Sequence, residues 1–105
     1  MTQFDVYRNP SPRQRDAMPF VINIQSDFLD GLPTRLTMPL AVAGLVPTSI
    51  PLNLCPRIDF EGQRLHLLAH LAAPFRTRDL GHPLGSVGTS ASDIVAAMDA
   101  VVSGV

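Results

Sequence analysis

Apolar and polar positions alternate in two early stretches of the chain. Phe4, Val6, Phe20, Ile22 and Ile24 fall on period-two spacing within QFDVYR, from Gln3 to Arg8, and PFVINIQSDFLD, from Pro19 to Asp30. Both stretches are rich in β-branched and aromatic residues, which suit a pleated, half-buried surface. They predict two strands joined by an exposed loop, the Pro- and Arg-rich run NPSPRQRDAM. The second strand ends in a polar cluster, Gln25, Ser26 and Asp27. The apolar pair Phe28 and Leu29 follows at once, a placement that predicts a position outside the core.

The rest of the chain is broken by turn residues. Gly31-Leu32-Pro33-Thr34 is a turn signal. Arg35 to Leu40 predicts a short third strand stopped near Pro39, because proline cannot donate to a ladder. Ala41 to Val46 is apolar and contains glycine, consistent with a short helix or a tight connection. Pro47, Pro51 and Pro56 bar a long regular element. Arg57 to Phe60, the turn Glu61-Gly62 and the return Arg64 to Leu71 predict a hairpin. Residues 72–89 read as irregular, with room for one short strand within Ala72 to Arg78. From Ser90 the period changes. Ile94, Ala97, Met98 and Val101 recur at three- and four-residue spacing, one helical stripe. Ser90 or Ser92 can cap this helix, and Asp93 suits its first turn. It is expected to end near Val102, before Ser103-Gly104-Val105.

Composition sharpens this pattern. A chain of 105 residues is read as a single domain, residues 1–105, with a small core that gains from oligomerisation. Ten prolines and seven glycines favour short strands and frequent turns. Only 16% of residues are charged while 46% are hydrophobic, a mild sign of an interface. The net charge of −1 gives no global pull toward nucleic acid or acidic membrane. Every basic residue is Arg, and Arg8, Arg13 and Arg15 share one loop. That loop is either solvated or a docking patch for an acidic partner segment, since Arg offers a planar fork to carboxylates. Cys55 stands alone, so no internal disulfide forms; its apolar surroundings predict a buried thiol. The start of the chain has no basic region followed by an apolar stretch, and the longest apolar-rich run, Met38 to Val46, is too short to span a bilayer. The expected location is the cytoplasm.

Catalytic chemistry is hard to assemble. His66 and His70 are four apart and share a face, but no third ligand is near in sequence; His82 is the other histidine. No G-x-S-x-G context surrounds any serine. Gly81, Gly85 and Gly88 do not fit a phosphate-binding fingerprint. Asp27 and Asp30 at a strand end read as turn chemistry. Aromatic residues are too few for a base-stacking sheet. The expectation is a binding protein with no catalytic residues, no metal and no cofactor.

At this point QFDVY, the Arg-containing loop, FVINIQSDFLD, Arg35 and Pro39-Leu40 together resemble the CcdB family of toxins from toxin–antitoxin modules. The Pro-interrupted connection, the hairpin around Glu61-Gly62 and a single helix leading to Gly104-Val105 follow in the same order. The resemblance covers essentially the full chain, and its N-terminal third is the specific part. It implies a mainly β (α+β) fold: an SH3-like small barrel of antiparallel strands, an additional small sheet and one C-terminal helix. It implies a homodimer that binds the DNA gyrase A subunit and traps the enzyme without catalysing a reaction. A small CcdA-like antitoxin, partly disordered when free, would displace gyrase, and the toxin–antitoxin complex would repress its own operon, contacting operator DNA only through the antitoxin. Plasmid maintenance is the role such modules imply.

The resemblance also assigns surfaces. Gyrase binding would fall on Phe28, Leu29, Val102, Ser103, Gly104 and Val105. Antitoxin binding would fall on Arg8, Arg13 and Arg15. Gly104 matches, Val105 replaces the usual Ile, and Phe28 and Leu29 replace an aliphatic pair. The best-known member carries Trp before the terminal Gly, where this chain has Ser103, and an aromatic before that, where it has Val102. This departure sustains one alternative, a non-toxic CcdB-like relative that only binds antitoxin. The other alternative is a MazF-like endoribonuclease on a related barrel.

Overall fold

A computed structural model describes residues 2–44, 49–51 and 53–104. Four strands come first from the alternating segments and the hairpin: β1 Asp5–Arg8, β2 Phe20–Asn23, β3 Thr34–Val42 and β4 Arg57–Phe60. Then follow β5 Gln63–Leu67, β6 Ala73–Arg76 and β7 Gly85–Ser86, and the helix α1, Ala91–Ser103. All pairings are antiparallel. The sheet runs β4-β5-β3-β2-β1-β7, and β6 joins it through β3. This is a mainly β half-barrel with one C-terminal helix, the α+β class expected from the sequence.

β3 is longer than expected and runs straight through Pro39. The reason lies in its partners. β6 covers Thr34–Thr37 and β5 covers Leu40–Val42, so Pro39 sits where the sheet forks. Its carbonyl accepts from the Leu68 amide at 3.0 Å on that same side. The missing N–H therefore faces the gap between two partner strands, where no ladder bond is lost. The fork also corrects the helix or tight connection expected over Ala41 to Val46: Ala41 and Val42 finish β3 and pair with His66 and Leu65. Leu45 to Thr48, with Val46 and Pro47, lie outside the described residues.

The hairpin forms at the expected place. Glu61 and Gly62 both have positive φ, 51° and 74°. Two successive left-handed residues make the type I′ turn that matches strand twist. Glu61 is a poor choice for that conformation. Glu61→Asn should therefore raise the unfolding free energy by about 0.5–1 kcal/mol, measured by urea denaturation.

The core lies on the face that holds the alternating positions. Val6, Phe20, Ile22, Met38 and Leu40 pack with Ile58, Leu65, Leu67, Val87 and the helix residues Ile94 and Ala97. Phe20 and Phe60 meet edge to face, with ring centroids 5.2 Å apart. Phe60 also presses on β7: a Cβ at Gly85 would lie 2.9 Å from its ring. Phe60 belongs to the strand at one end of the sheet order and Gly85 to the strand at the other. The sheet therefore curls until its two ends touch through a side chain, and only glycine allows that approach. The opposite face is buried too. Tyr7, Val21 and Leu80 cluster there with Phe75, and Asn23, Arg35 and Thr37 are almost fully covered.

α1 ends where expected but starts differently. Ser90 occupies the capping position without a side-chain capping bond. A 3-10 turn over Gly88–Ser90 precedes the helix, and the Gly88 carbonyl takes the next backbone N–H. That bond does part of the work expected of a serine hydroxyl. Asp93 does lie in the first turn.

Candidate binding surface

The polar cluster after β2 builds a rigid platform. Gln25 donates to the carbonyls of Leu29 (3.2 Å) and Thr34 (3.0 Å), and its Oε1 accepts from the Leu36 amide at 3.0 Å. Ser26 Oγ accepts from the Phe28 amide, and Asp27 Oδ1 accepts from the Gln3 amide at 2.8 Å. These bonds hold the chain just past the end of β2 at Asn23, beside the polar cluster expected to end the strand, and wind Asp27–Leu29 into one 3-10 turn. Phe28 stands on that turn fully exposed, and Leu29 is about half exposed. Both lie outside the core.

Arg35 locks the far side of the turn. It is 3% exposed. Its Nη1 donates to the carbonyls of Leu32 (2.6 Å) and Thr34 (2.9 Å). Its Nη2 donates to the Asp30 carbonyl and to Asp30 Oδ1 (2.9 Å). One guanidinium thus gathers the whole connection from Asp30 to Thr34. Sequence reasoning missed this role, and it missed Gln25; an Arg beside Leu36 gives little sign that it points inward.

The helix contributes the second part of the surface. Ile94 and Ala97 are buried as expected, but Val101, placed in the same stripe, is 42% exposed. A second apolar row, Val95, Met98 and Val102, follows helical spacing beside it. Val102 is 78% exposed. Ser103 is exposed, and its Oγ donates back to the Asp99 carbonyl at 2.6 Å. Gly104 takes the left-handed conformation at φ 74° and closes the helix through its amide to Ala100. Val105 lies outside the described residues.

A small cavity of about 140 Å³ connects the two parts: Phe4, Ile24 and Leu36 line it from the sheet, Val95 and Met98 from the helix. The strand leading into the Phe28 turn and the middle of α1 are therefore neighbours. Phe4 holds φ at 72°, a strained value for an aromatic residue. Two backbone bonds keep it there, to Asn23 (2.6 Å) and from Val87 (3.0 Å).

The Arg loop lies at the other end of β2, since Arg8 pairs with Phe20. Its three arginines are not equivalent. Arg15 Nε donates to the Asn9 carbonyl at 2.7 Å, while buried Asn9 bonds Met18 and Ser11. Arg15 thus holds the loop's own shape, whereas Arg8 and Arg13 are exposed.

The candidate chemistry residues are dispersed. His66 lies on β5 with Nδ1 3.1 Å from the Cys55 carbonyl, and His70 lies in the 3-10 turn Ala69–Leu71. Among the described residues no three His, Cys, Asp or Glu are grouped to hold a metal ion. Cys55 is buried, and burial pushes its thiol above the ordinary range. No helix among the described residues is long and apolar enough to cross a membrane.

No curated protein matches the chain. A family model described as CcdB protein matches residues 3–104. The platform after β2, the half-barrel and the closing helix thus stand in a chain matched almost from end to end, and it belongs to the CcdB family, toxins of toxin–antitoxin modules.

Proposed function

We propose that this protein acts by binding and not by catalysis, as a toxin that captures the DNA gyrase A subunit and inhibits the enzyme. The observation that supports this best is the rigid display of Phe28. The turn beneath this fully exposed aromatic ring is already ordered by backbone and side-chain bonds, so binding costs the ring's own rotamer freedom and little loop ordering. Leu29 and the helix end with Val102, Ser103, Gly104 and Val105 extend the same reading. The apolar row Val95-Met98-Val102 suits a homodimer contact. Arg8 and Arg13 would receive an acidic CcdA-like antitoxin, with Arg15 shaping the loop that carries them. The complex would repress its operon and serve plasmid maintenance in the cytoplasm.

Expression in a sensitive host, with gyrase-dependent DNA breaks and RNA integrity both scored, tests the reading. Breaks with intact RNA support it. Degraded RNA would replace it with the endoribonuclease alternative. Normal growth with retained antitoxin binding would leave the non-toxic relative, favoured by one observation: the Ser103 hydroxyl turns back onto its own helix.

The loop makes its own prediction. Arg13→Ala should weaken antitoxin binding about tenfold while thermal stability holds, because its exposed side chain makes no hydrogen bond or ion pair among the described residues. Arg15→Ala should lower stability by about 1 kcal/mol as well, because it releases the Asn9 carbonyl. Calorimetric titration beside thermal melts checks both; equal antitoxin affinity in Arg13→Ala and wild type would refute the docking patch.

A further inference from the structure

Besides β4 and β7 at the two ends of the strand order, β6 leaves a sheet edge open among the described residues. β6 pairs with β3 alone. The Thr77 amide donates to the Pro33 carbonyl at 2.9 Å. Antiparallel pairs alternate between bonded and non-bonded, so Arg35 and Phe75 exchange ladder bonds while Thr34–Arg76 and Leu36–Pro74 do not. The backbone N–H and C=O of Arg76 and the C=O of Pro74 therefore point away from β3. The Arg76 C=O takes the first N–H of the 3-10 turn Thr77–Asp79, which leaves the Arg76 N–H and the Pro74 C=O without a backbone partner among the described residues.

An open groove of about 590 Å³ lies at this edge, lined by Pro33, Thr34, Arg76, Thr77 and Arg78. Arg76 and Arg78 are exposed and make no ion pair or hydrogen bond among the described residues. Arg35 and Arg57, by contrast, are held by Asp30 and Asp59. The Thr77 hydroxyl between the two free arginines is buried and unpartnered. An open edge invites a strand, and charge on the edge decides which strand. Two guanidinium groups of one sign repel a basic segment and offer bidentate bonds to carboxylates.

We propose that the β6 edge takes an acidic, extended segment of a partner protein as a short added strand, with its carboxylates on Arg76 and Arg78. Pro74 lacks an N–H and limits the pairing to about three or four residues. Nucleic acid is the poorer occupant. Two cations neutralise about two phosphates, well short of the six to ten behind ordinary DNA affinity.

This site is separate from the Arg8–Arg15 loop. Arg8 connects through Phe20 to Leu40 of β3, whereas Arg76 faces Thr34. Six strand steps, about 20 Å, lie between them. Failure of one assignment leaves the other standing.

The test is an amide-shift titration of the isotope-labelled full chain with a blocked hexapeptide, (Glu-Val)3. (Gln-Val)3, (Lys-Val)3 and a thymidine oligonucleotide serve as competitors. Shifts at residues 74–78, slowed exchange of the Arg76 amide, and about tenfold weaker binding in Arg76→Gln or Arg78→Gln are expected. Both side chains are exposed, so the spectra of the variants should otherwise match wild type. Absence of shifts at 74–78, equal binding of the Gln peptide, shifts confined to residues 8–15, or preference for the oligonucleotide would overturn it.

Discussion

Arg35→Ala is expected to lower the unfolding free energy by about 3 kcal/mol, measured by urea denaturation. The side chain is buried and donates to the backbone carbonyls of Asp30, Leu32 and Thr34 as well as to the Asp30 carboxylate. Truncation removes a charged donor from all four acceptors and opens a cavity beneath β3. The exposed Asp30 carboxylate loses little by itself, because water replaces its partner. Most of the cost comes from the carbonyls, which the connection would have to rotate toward solvent. Arg35→Lys should recover only part of the loss, because one ammonium cannot reproduce the guanidinium fork. The variant should also loosen the turn that carries Phe28. Target binding would then fall together with stability. A fully stable Arg35→Ala protein would mean that the connection from Asp30 to Thr34 holds its shape without the guanidinium.

Phe28→Ala should have the opposite signature: target binding falls tenfold or more while stability stays within about 0.5 kcal/mol of wild type. The ring is fully exposed, so the fold loses no buried area when it goes. The bonds that shape its turn come from the backbone and from Gln25, Ser26 and Asp27, which the substitution leaves in place. The complementary change is Ser103→Trp. It adds a large apolar anchor next to Val102 at the end of α1 and should strengthen gyrase binding by about 2 kcal/mol. Surface-immobilised gyrase A subunit, titrated with each variant, reads both effects. Unchanged affinity in Phe28→Ala and Ser103→Trp alike would remove this end of the molecule from the target contact.

Parts of this protein are legible in one dimension because they rest on local rules. Period-two spacing at Val6, Phe20 and Ile22 names one face of two strands. Glu61-Gly62 between alternating segments names a hairpin, and the Ile94-Ala97 spacing names a helix. The exposure of Phe28 and Leu29 followed from their place after a polar cluster. The opposite sheet face was not legible. Tyr7, Val21, Asn23, Arg35 and Thr37 occupy positions that alternation marks as outward, yet the chain folds back over them. Alternation detects a single buried face, and this sheet has two. The same limit applies to the site: Arg15 and Arg35 carry the same formal charge as Arg13, and only their neighbours make them structural.

The sequence by itself determined the class of the fold, the places of the hairpin and the helix, and membership of the CcdB family. Tertiary structure decided the rest. Pro39 is harmless inside β3 only because β5 and β6 part company there. The sheet curls because Phe60 finds room above Gly85, residues from opposite ends of the strand order. Arg76 and Arg78 become a site only beside an edge that no strand covers. Each of these depends on which distant segment arrives next to a residue, and such contacts are fixed by long-range packing that local spacing does not encode.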